Sequence, residues 1–233
     1  MRKKIQLCVF FFACLSACVA RTGPETPAID RNTEATHRVD LRPMGHGTAV
    51  VLHRSGYLLT CYHVAGQGEN EPFVRISVDG APAIDYPAKV VAWDRELDIS
   101  VLKVERRFET TVVLGRIEDV HALDAVYTVG FPYDLGEMAG YGRVKSVHWS
   151  NELRDVDDEL AIEFTDGQGM SGSGVYLART GWLVGLLHVM HAGAGRDGAV
   201  TDNRQALIRV AVPVHKIRTF LDRAGIPYQS AVF

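Results

Sequence analysis

Three side chains of the kinds from which acyl-transfer chemistry is built stand in this chain in the order His63, Asp98, Ser171, with gaps of 35 and 73 residues. The histidine closes the run Leu59-Thr60-Cys61-Tyr62-His63-Val64, where an apolar strand should end. The aspartate sits between Leu97 and Ile99, at the start of a strand that should be buried. A buried carboxylate without a partner is expensive, so Asp98 needs a donor, and an imidazole N–H is the natural one. The third station is "GQGMSGSGVY", residues 167–176, in which Ser171 and Ser173 stand among glycines. A turn needs glycine to reach positive φ, but it does not need two hydroxyls. A G-x-S-x-G nucleophile elbow would require glycine at position 173 and the chain order Ser, Asp, His, and neither condition is met. Taken singly, His63 reads as a packed strand-end residue, Asp98 as a strand cap and Ser171 as a turn residue; only the collinear set points to a triad. Cys61, beside His63, reads as a small buried hydrophobe before it reads as a reactive thiol. His188 and His191 could suggest zinc, but no Cys/His cluster supports them, so no metal or other cofactor is expected.

The elements that must hold these stations are short strands. Thr48 to Leu52 is a β-branched run ending at the turn Arg54-Ser55-Gly56, and Tyr57 to Thr60 follows. Further runs are Val74–Val78, Ala88–Trp93, Ile99–Val104, Ala125–Val129, Gly142–Val147, Leu160–Phe164, Val175–Leu177, Trp182–His188 and Leu207–Ala211. Such lengths, with regular turns, predict a sandwich or barrel. One helix is expected, Val214 to Ala224, with Val214, Ile217, Phe220 and Leu221 at helical spacing, Pro213 before it and Gly225 after it. The body is therefore expected to be all-β with a short C-terminal helix.

Composition narrows the function classes. The chain has 233 residues, 47% hydrophobic and 23% charged, with a formal net charge of −3. Without the first 17 residues, 22 basic side chains face 28 acidic ones. A mildly acidic body argues against nucleic acid as the main partner. Met1 to Lys4 is basic and Ile5 to Leu15 is an apolar run of 11 residues, too short to span a bilayer. Leu15-Ser16-Ala17-Cys18 resembles the bacterial lipobox, which implies cleavage before Cys18 and acylation of that cysteine. Residues 1–17 are thus expected to be a lipoprotein signal peptide, with a membrane anchor at Cys18. Val19 after it favours the periplasmic side of an outer membrane, and ordinary cleavage after Ala20 with secretion is the alternative. Cys61 would be left alone, so no internal disulfide is expected. Residues 18–40, polar and carrying Pro24 and Pro27, read as a flexible tether.

The segments in sequence resemble a trypsin-like serine peptidase of the chymotrypsin fold, closest to the catalytic domain of the bacterial high-temperature-requirement group. "GHGTAVVLHRSGYLLTCYHV" resembles that family's strand pair leading to its histidine, and "DRELDISVLKV" its aspartate segment. "VGFPYD" with "GRVKSV" resembles its second-barrel entry, "GMSGSGVY" its nucleophile loop, and "IRVAVPVHKIRTFL" its closing strand and helix. The resemblance runs from Gly45 to Leu221. It implies two packed six-stranded antiparallel Greek-key β-barrels, over 41–118 and 119–212, with the helix and tail at 213–233. It implies Ser171 as nucleophile, His63 as base, Asp98 as its support, and the N–H groups of Gly169 and Ser171 as an oxyanion hole. It also implies a first specificity pocket walled by Thr165 to Gln168 and by His188 to His191. There Asp166 would favour a basic substrate side chain, and His188 or His191 an acidic one. The chain departs from trypsin-type zymogens in carrying Met170 before the serine and no Ile-Val-Gly-Gly start, so activation by N-terminal insertion is not expected. Gly174 stands where relatives have proline, and Cys61 and Tyr62 precede the histidine. No appended peptide-binding module is expected after Phe233. The expected function is a serine endopeptidase acting on protein substrates in the cell envelope. Two other readings stay open: a non-catalytic peptide-binding or scaffold protein on the same fold, and an esterase on the same triad.

Overall fold

The structure is a computed structural model that describes residues 26–41, 45–65, 72–78, 81–151, 156–164, 169–191 and 208–232. It opens with helix α1 (Thr26–Glu34) and strand β1 (Thr36–Leu41). Strands β2 (Gly45–His53) and β3 (Tyr57–Cys61) follow, then the one-turn helix α2 (Tyr62–Ala65). Strands β4 (Phe73–Val78), β5 (Ala81–Asp94) and β6 (Ile99–Val104) complete a first closed antiparallel barrel, ordered β1-β2-β3-β6-β5-β4. A short strand, β7 (Val113–Leu114), lies on the crossing to the second barrel. That barrel is built from β8 (Ala125–Gly130), β9 (Met138–Asn151), β10 (Val156–Glu163), β11 (Gly174–Leu177), β12 (Leu183–His191) and β13 (Ile208–Pro213). Its order is β11-β8-β9-β10-β13-β12, and pairing of β11 with β12 closes it. Helix α3 (Val214–Ala224) and strand β14 (Gln229–Ser230) end the chain, with β14 parallel to β7 and β7 parallel to β12. The architecture is the expected one of two six-stranded antiparallel barrels and a short C-terminal helix.

The continuous apolar runs follow from burial on both faces. Ala49 to Leu52 of β2 and Leu58 and Leu59 of β3 are all buried, and they share one core with Tyr127, Tyr176, Leu183 and Leu186 of the second barrel. One face of these strands fills the first barrel and the other meets its neighbour, so the period-2 alternation of a half-exposed strand is lost. A second core, with Val144, Leu160, Ile162, Val175 and Leu187, fills the second barrel. Helix α3 buries Val214, Ile217, Phe220 and Leu221 into the shared core. It stops at Gly225, whose φ of 66° places it in the left-handed region and whose N–H reaches the carbonyls of Asp222 and Leu221.

The expected tether does not extend to Asp40, because residues 26–40 are helix and strand. These residues carry little apolar periodicity; Asn32 is held by hydrogen bonds that only the folded second barrel supplies. Asn32 is fully buried, and its Nδ2 donates to the Tyr127 hydroxyl at 2.7 Å and to the Gly181 carbonyl at 2.8 Å. Thr36 Oγ1 donates to the Asn32 carbonyl at 2.6 Å, and Arg38 Nε to Asp40 Oδ1 at 2.8 Å. Asn32 therefore fastens α1 to the second barrel while β1 enters the first.

His37 of β1 is buried against the Phe108 ring, with centroids 5.2 Å apart. Burial, aided by the positive charge of Arg106, pushes its imidazole down from 6.5 to about 4. The folded state therefore refuses a proton that the unfolded chain takes. Stability from this residue is complete above pH 6.5 and is lost as pH falls towards 4. The difference corresponds to about 3 kcal/mol. His37→Phe keeps the ring and removes the titration, so denaturant unfolding at pH 7 and pH 4.5 should show a shallower acid slope in the variant; equal slopes would contradict the assignment.

Candidate active site

The strand register brings His63 and Asp98 together. β3 pairs with β6 down to Cys61 opposite Ile99, so the next residue on one strand and the preceding one on the other meet beyond the ladder. The turn before β6 is shaped by Asp94, whose Oδ1 accepts the amides of Glu96 and Leu97, both at 3.1 Å, and whose Oδ2 accepts from Arg223 at 2.9 Å. Asp98 then adopts φ 53°, in the left-handed region that aspartate enters more readily than most residues. This aims its carbonyl at the Tyr62 amide at 3.1 Å and its carboxylate at His63. Oδ1 accepts the His63 amide at 3.0 Å, and Oδ2 accepts from His63 Nδ1 at 2.7 Å. A carboxylate only accepts, so Nδ1 carries the hydrogen and the neutral ring has Nε2 as its acceptor. The His63 side chain is half exposed.

The loop carrying Ser171 is fastened to both barrels. Thr48 of β2 is its hub: its amide donates to the Ser171 carbonyl at 2.8 Å and its Oγ1 to the Gly169 carbonyl at 2.8 Å. The same Oγ1 accepts the Phe131 amide at 3.2 Å, and Thr60 Oγ1 donates to the Thr48 carbonyl at 2.7 Å. On the other side, Gly172 donates to the Leu187 carbonyl and Leu187 to the Ser173 carbonyl, each at 2.8 Å. Gly169 (φ 98°) and Gly172 (φ 86°) both lie in the glycine-favouring region. Neither has room for a side chain: a Cβ would lie 2.1 Å from the Phe131 carbonyl oxygen at Gly169 and 2.0 Å from that of Thr48 at Gly172. Among the described residues, no acceptor takes the N–H of Gly169 or of Ser171.

The two serines differ. Ser171 is 7% exposed, while Ser173 is fully buried, its hydroxyl packed against Gly130 and unpartnered among the described residues. Cys61 donates its thiol to the Leu187 carbonyl at 3.4 Å, and burial, reinforced by the Asp98 charge, pushes the thiol well above its usual range. Its sulfur lies within 4.8 Å of ligand-type atoms of His63 and Asp98, but a buried, protonated thiol is neither a good nucleophile nor a metal ligand.

Of the expected pocket residues, Thr165 and Asp166 lie outside the described residues, as does Cys18, and for His191 only the backbone pairing with Arg209 is described. His188 lies beside the Asp98 carboxylate. It is buried, with Nδ1 3.8 Å from Asp98 Oδ2 and Nε2 3.6 Å from Glu159 Oε2, so its charge partners belong to the protein. Glu159 of β10 is buried as well, and Lys216 of α3 donates to its Oε1 at 3.2 Å. Glu159 was not legible as a site residue, since "DVDDEL" reads as a solvated acidic run; nor was Lys216, on the polar side of a surface helix.

Solved structures define the class to which this two-barrel fold belongs. The crystal structure of Deg5 superposes with a TM-score of 0.68 at 18% identity, covering 88% of this chain and 95% of that one. The HtrA-type protease AlgW with tripeptide gives 0.68 at 22% identity, covering 85% and 64%. The chain belongs to the trypsin-like peptidase domain family, which matches residues 47–186. Among named relatives, the magnetosome formation protease MamE of Magnetospirillum gryphiswaldense is 28% identical over 183 residues, covering 77% of this chain and 22% of that protein. Human serine protease HTRA4 is 26% identical over 212 residues, covering 89% and 40%. The probable periplasmic serine endoprotease DegP-like of Rhizobium meliloti is 31% identical over 156 residues, covering 66% and 30%. The chain thus spans from about a fifth to two fifths of the length of these relatives. By name the first is a protease and the other two are serine proteases.

Proposed function

We propose that this protein is a serine endopeptidase with Ser171 as nucleophile, His63 as general base and Asp98 as the group that orients it. Ser171 Oγ attacks the scissile carbonyl carbon as its proton passes to His63 Nε2. The N–H groups of Gly169 and Ser171 stabilise the oxyanion. Collapse of the tetrahedral intermediate breaks the C–N bond, and His63 returns the proton to the leaving amine. Water then attacks the acyl-enzyme by the reverse sequence, releasing the acid and restoring the Ser171 hydroxyl. The observation that carries this reading is the two-point grip of Asp98 on His63, at 2.7 Å to Nδ1 and 3.0 Å to the amide, which leaves Nε2 as the base. The family membership and the two glycine-only positions flanking the serine support it.

The substrates are proteins, and the site of action is the cell envelope, with a lipid anchor on Cys18 after removal of residues 1–17 as signal peptide. The lipobox-like segment supports the anchor, and the names of the periplasmic relatives agree with the compartment. The test is peptide mapping of protein taken from membranes and treated with a fluorophosphonate. The expected result is one adduct on Ser171, none on Ser173, and a diacylglyceryl group on Cys18. An unlabelled protein, or an adduct elsewhere, overturns the peptidase reading; an unmodified Cys18 overturns the anchor.

A further inference from the structure

A line of polar side chains runs from the C-terminal helix to the base of the site: Lys216, Glu159, His188, Asp98, His63. Its middle member has no counterpart in the serine, histidine and aspartate chemistry above. Among the described residues, His188 Nε2 and Glu159 Oε2 are both buried and without a hydrogen-bond partner, yet they face each other at 3.6 Å. The other ring nitrogen faces the Asp98 oxygen that already accepts from His63, at 3.8 Å. Both separations are ion-pair distances, longer than hydrogen bonds.

Among the described residues, His188 stands between two carboxylates, Asp98 and Glu159, and Lys216 is paired with the second of them. The groups facing His188 are Asp98 from the turn before β6, Glu159 from β10, and Lys216 of α3 behind Glu159. Cys61 of β3 bonds the adjacent Leu187 carbonyl, and Arg209 of β13 neighbours Val210, the ladder partner of His188. A neutral imidazole has one N–H and serves one carboxylate; the doubly protonated ring has two and serves both.

We propose that His188 is a positioning residue for Asp98, a doubly protonated bridge that ties the triad carboxylate to the Glu159–Lys216 pair. This rests on the peptidase reading for its consequence but not for its test. The bridge acts on Oδ2, the same Asp98 oxygen that accepts from His63. It also offsets part of the negative charge that would otherwise favour protonation of His63. Removing it should therefore make His63 harder to keep as a free base at acid pH.

The experiment is two-bond 1H–15N spectroscopy of histidine-labelled full-length protein as a function of pH, for the parent, His188→Gln, Glu159→Gln and the double variant. In the parent at neutral pH, His188 should show protons on both nitrogens, and Glu159→Gln should convert it to the neutral form. In His188→Gln the His63 titration should move upward by about one pH unit, and adding Glu159→Gln should return it towards the parent. In fluorophosphonate labelling, the same shift reads as about a tenfold loss of rate for His188→Gln on the acidic limb and less than about threefold on the alkaline plateau. A singly protonated His188 in the parent, or a His63 titration indifferent to His188→Gln, overturns the proposal. The spectra need no turnover, so a protein that fails to label would sink the peptidase reading while leaving this one decided. A variant that loses its folded spectrum is replaced by His188→Asn, judged by the same midpoint.

Discussion

Ser171→Ala should remove covalent labelling by a fluorophosphonate and lower kcat on a peptide substrate by about 10⁶, with KM and the thermal midpoint close to those of the parent. The reason for so clean a loss is that the loop does not depend on the hydroxyl. The Ser171 carbonyl accepts the Thr48 amide, Gly172 donates to Leu187, and Met170 is buried in the second core, all independently of Oγ. What disappears is the nucleophile that forms the acyl-enzyme bond to the substrate carbon. Ser173→Ala is the matched control. That hydroxyl is buried against Gly130 without a partner among the described residues, so removing it should leave activity intact and raise or preserve stability. Kinetics on denatured casein and on an activated ester, run in parallel on both variants, check the claim. Loss in Ser173→Ala with retention in Ser171→Ala would reverse the assignment. A parent that turns over the ester and not casein would make the protein an esterase.

The second large effect is expected from a single methyl group. Gly169→Ala should lower kcat by about 10²–10³, the cost of losing one oxyanion donor, with a much smaller change in KM. At φ 98° an L side chain is strained, and here it also has nowhere to go: the new Cβ would lie 2.1 Å from the Phe131 carbonyl oxygen and 2.5 Å from His46 Nε2. His46 cannot simply swing away, since its ring bonds the same Phe131 carbonyl at 3.0 Å. The peptide plane must turn instead, and the N–H offered to the oxyanion turns with it. Gly136→Ala separates strain from catalysis. Gly136 also has positive φ, at 89°, but nothing lies within 4 Å of its would-be Cβ. It should lose about 1–3 kcal/mol of stability and no kcat. Steady-state kinetics with a peptide substrate, alongside thermal unfolding, distinguish the two variants. Equal kcat in Gly169→Ala and the parent would remove this amide from the proposed oxyanion hole.

Short-range signals determined a large part of this protein before any contact was known. The apolar runs at 48–52 and 57–60 are strands because β-branched residues bounded by a glycine turn have few other options. The helix at 214–224 was bounded by its own punctuation, proline before and glycine after, and by four apolar residues on one face. The order and spacing of His63, Asp98 and Ser171 named the candidate site. The tertiary structure alone decided the rest, wherever a polar group's partner lies far along the chain. Residues 26–40 look like a tether because Asn32, Thr36 and Asp40 are polar; they are helix and strand because Tyr127, Gly181 and the barrel ladders meet their hydrogen-bonding needs. Thr48 is one β-branched residue among several until the Ser171 loop folds onto it. His188 suggested a specificity pocket, and Glu159, 29 residues before it, carried no sign of a site; barrel closure brings Glu159 to His188 and His188 to Asp98. Local pattern reports where a backbone prefers to be straight, coiled or bent, whereas the partner of a buried charge is set by which distant strands close on one another.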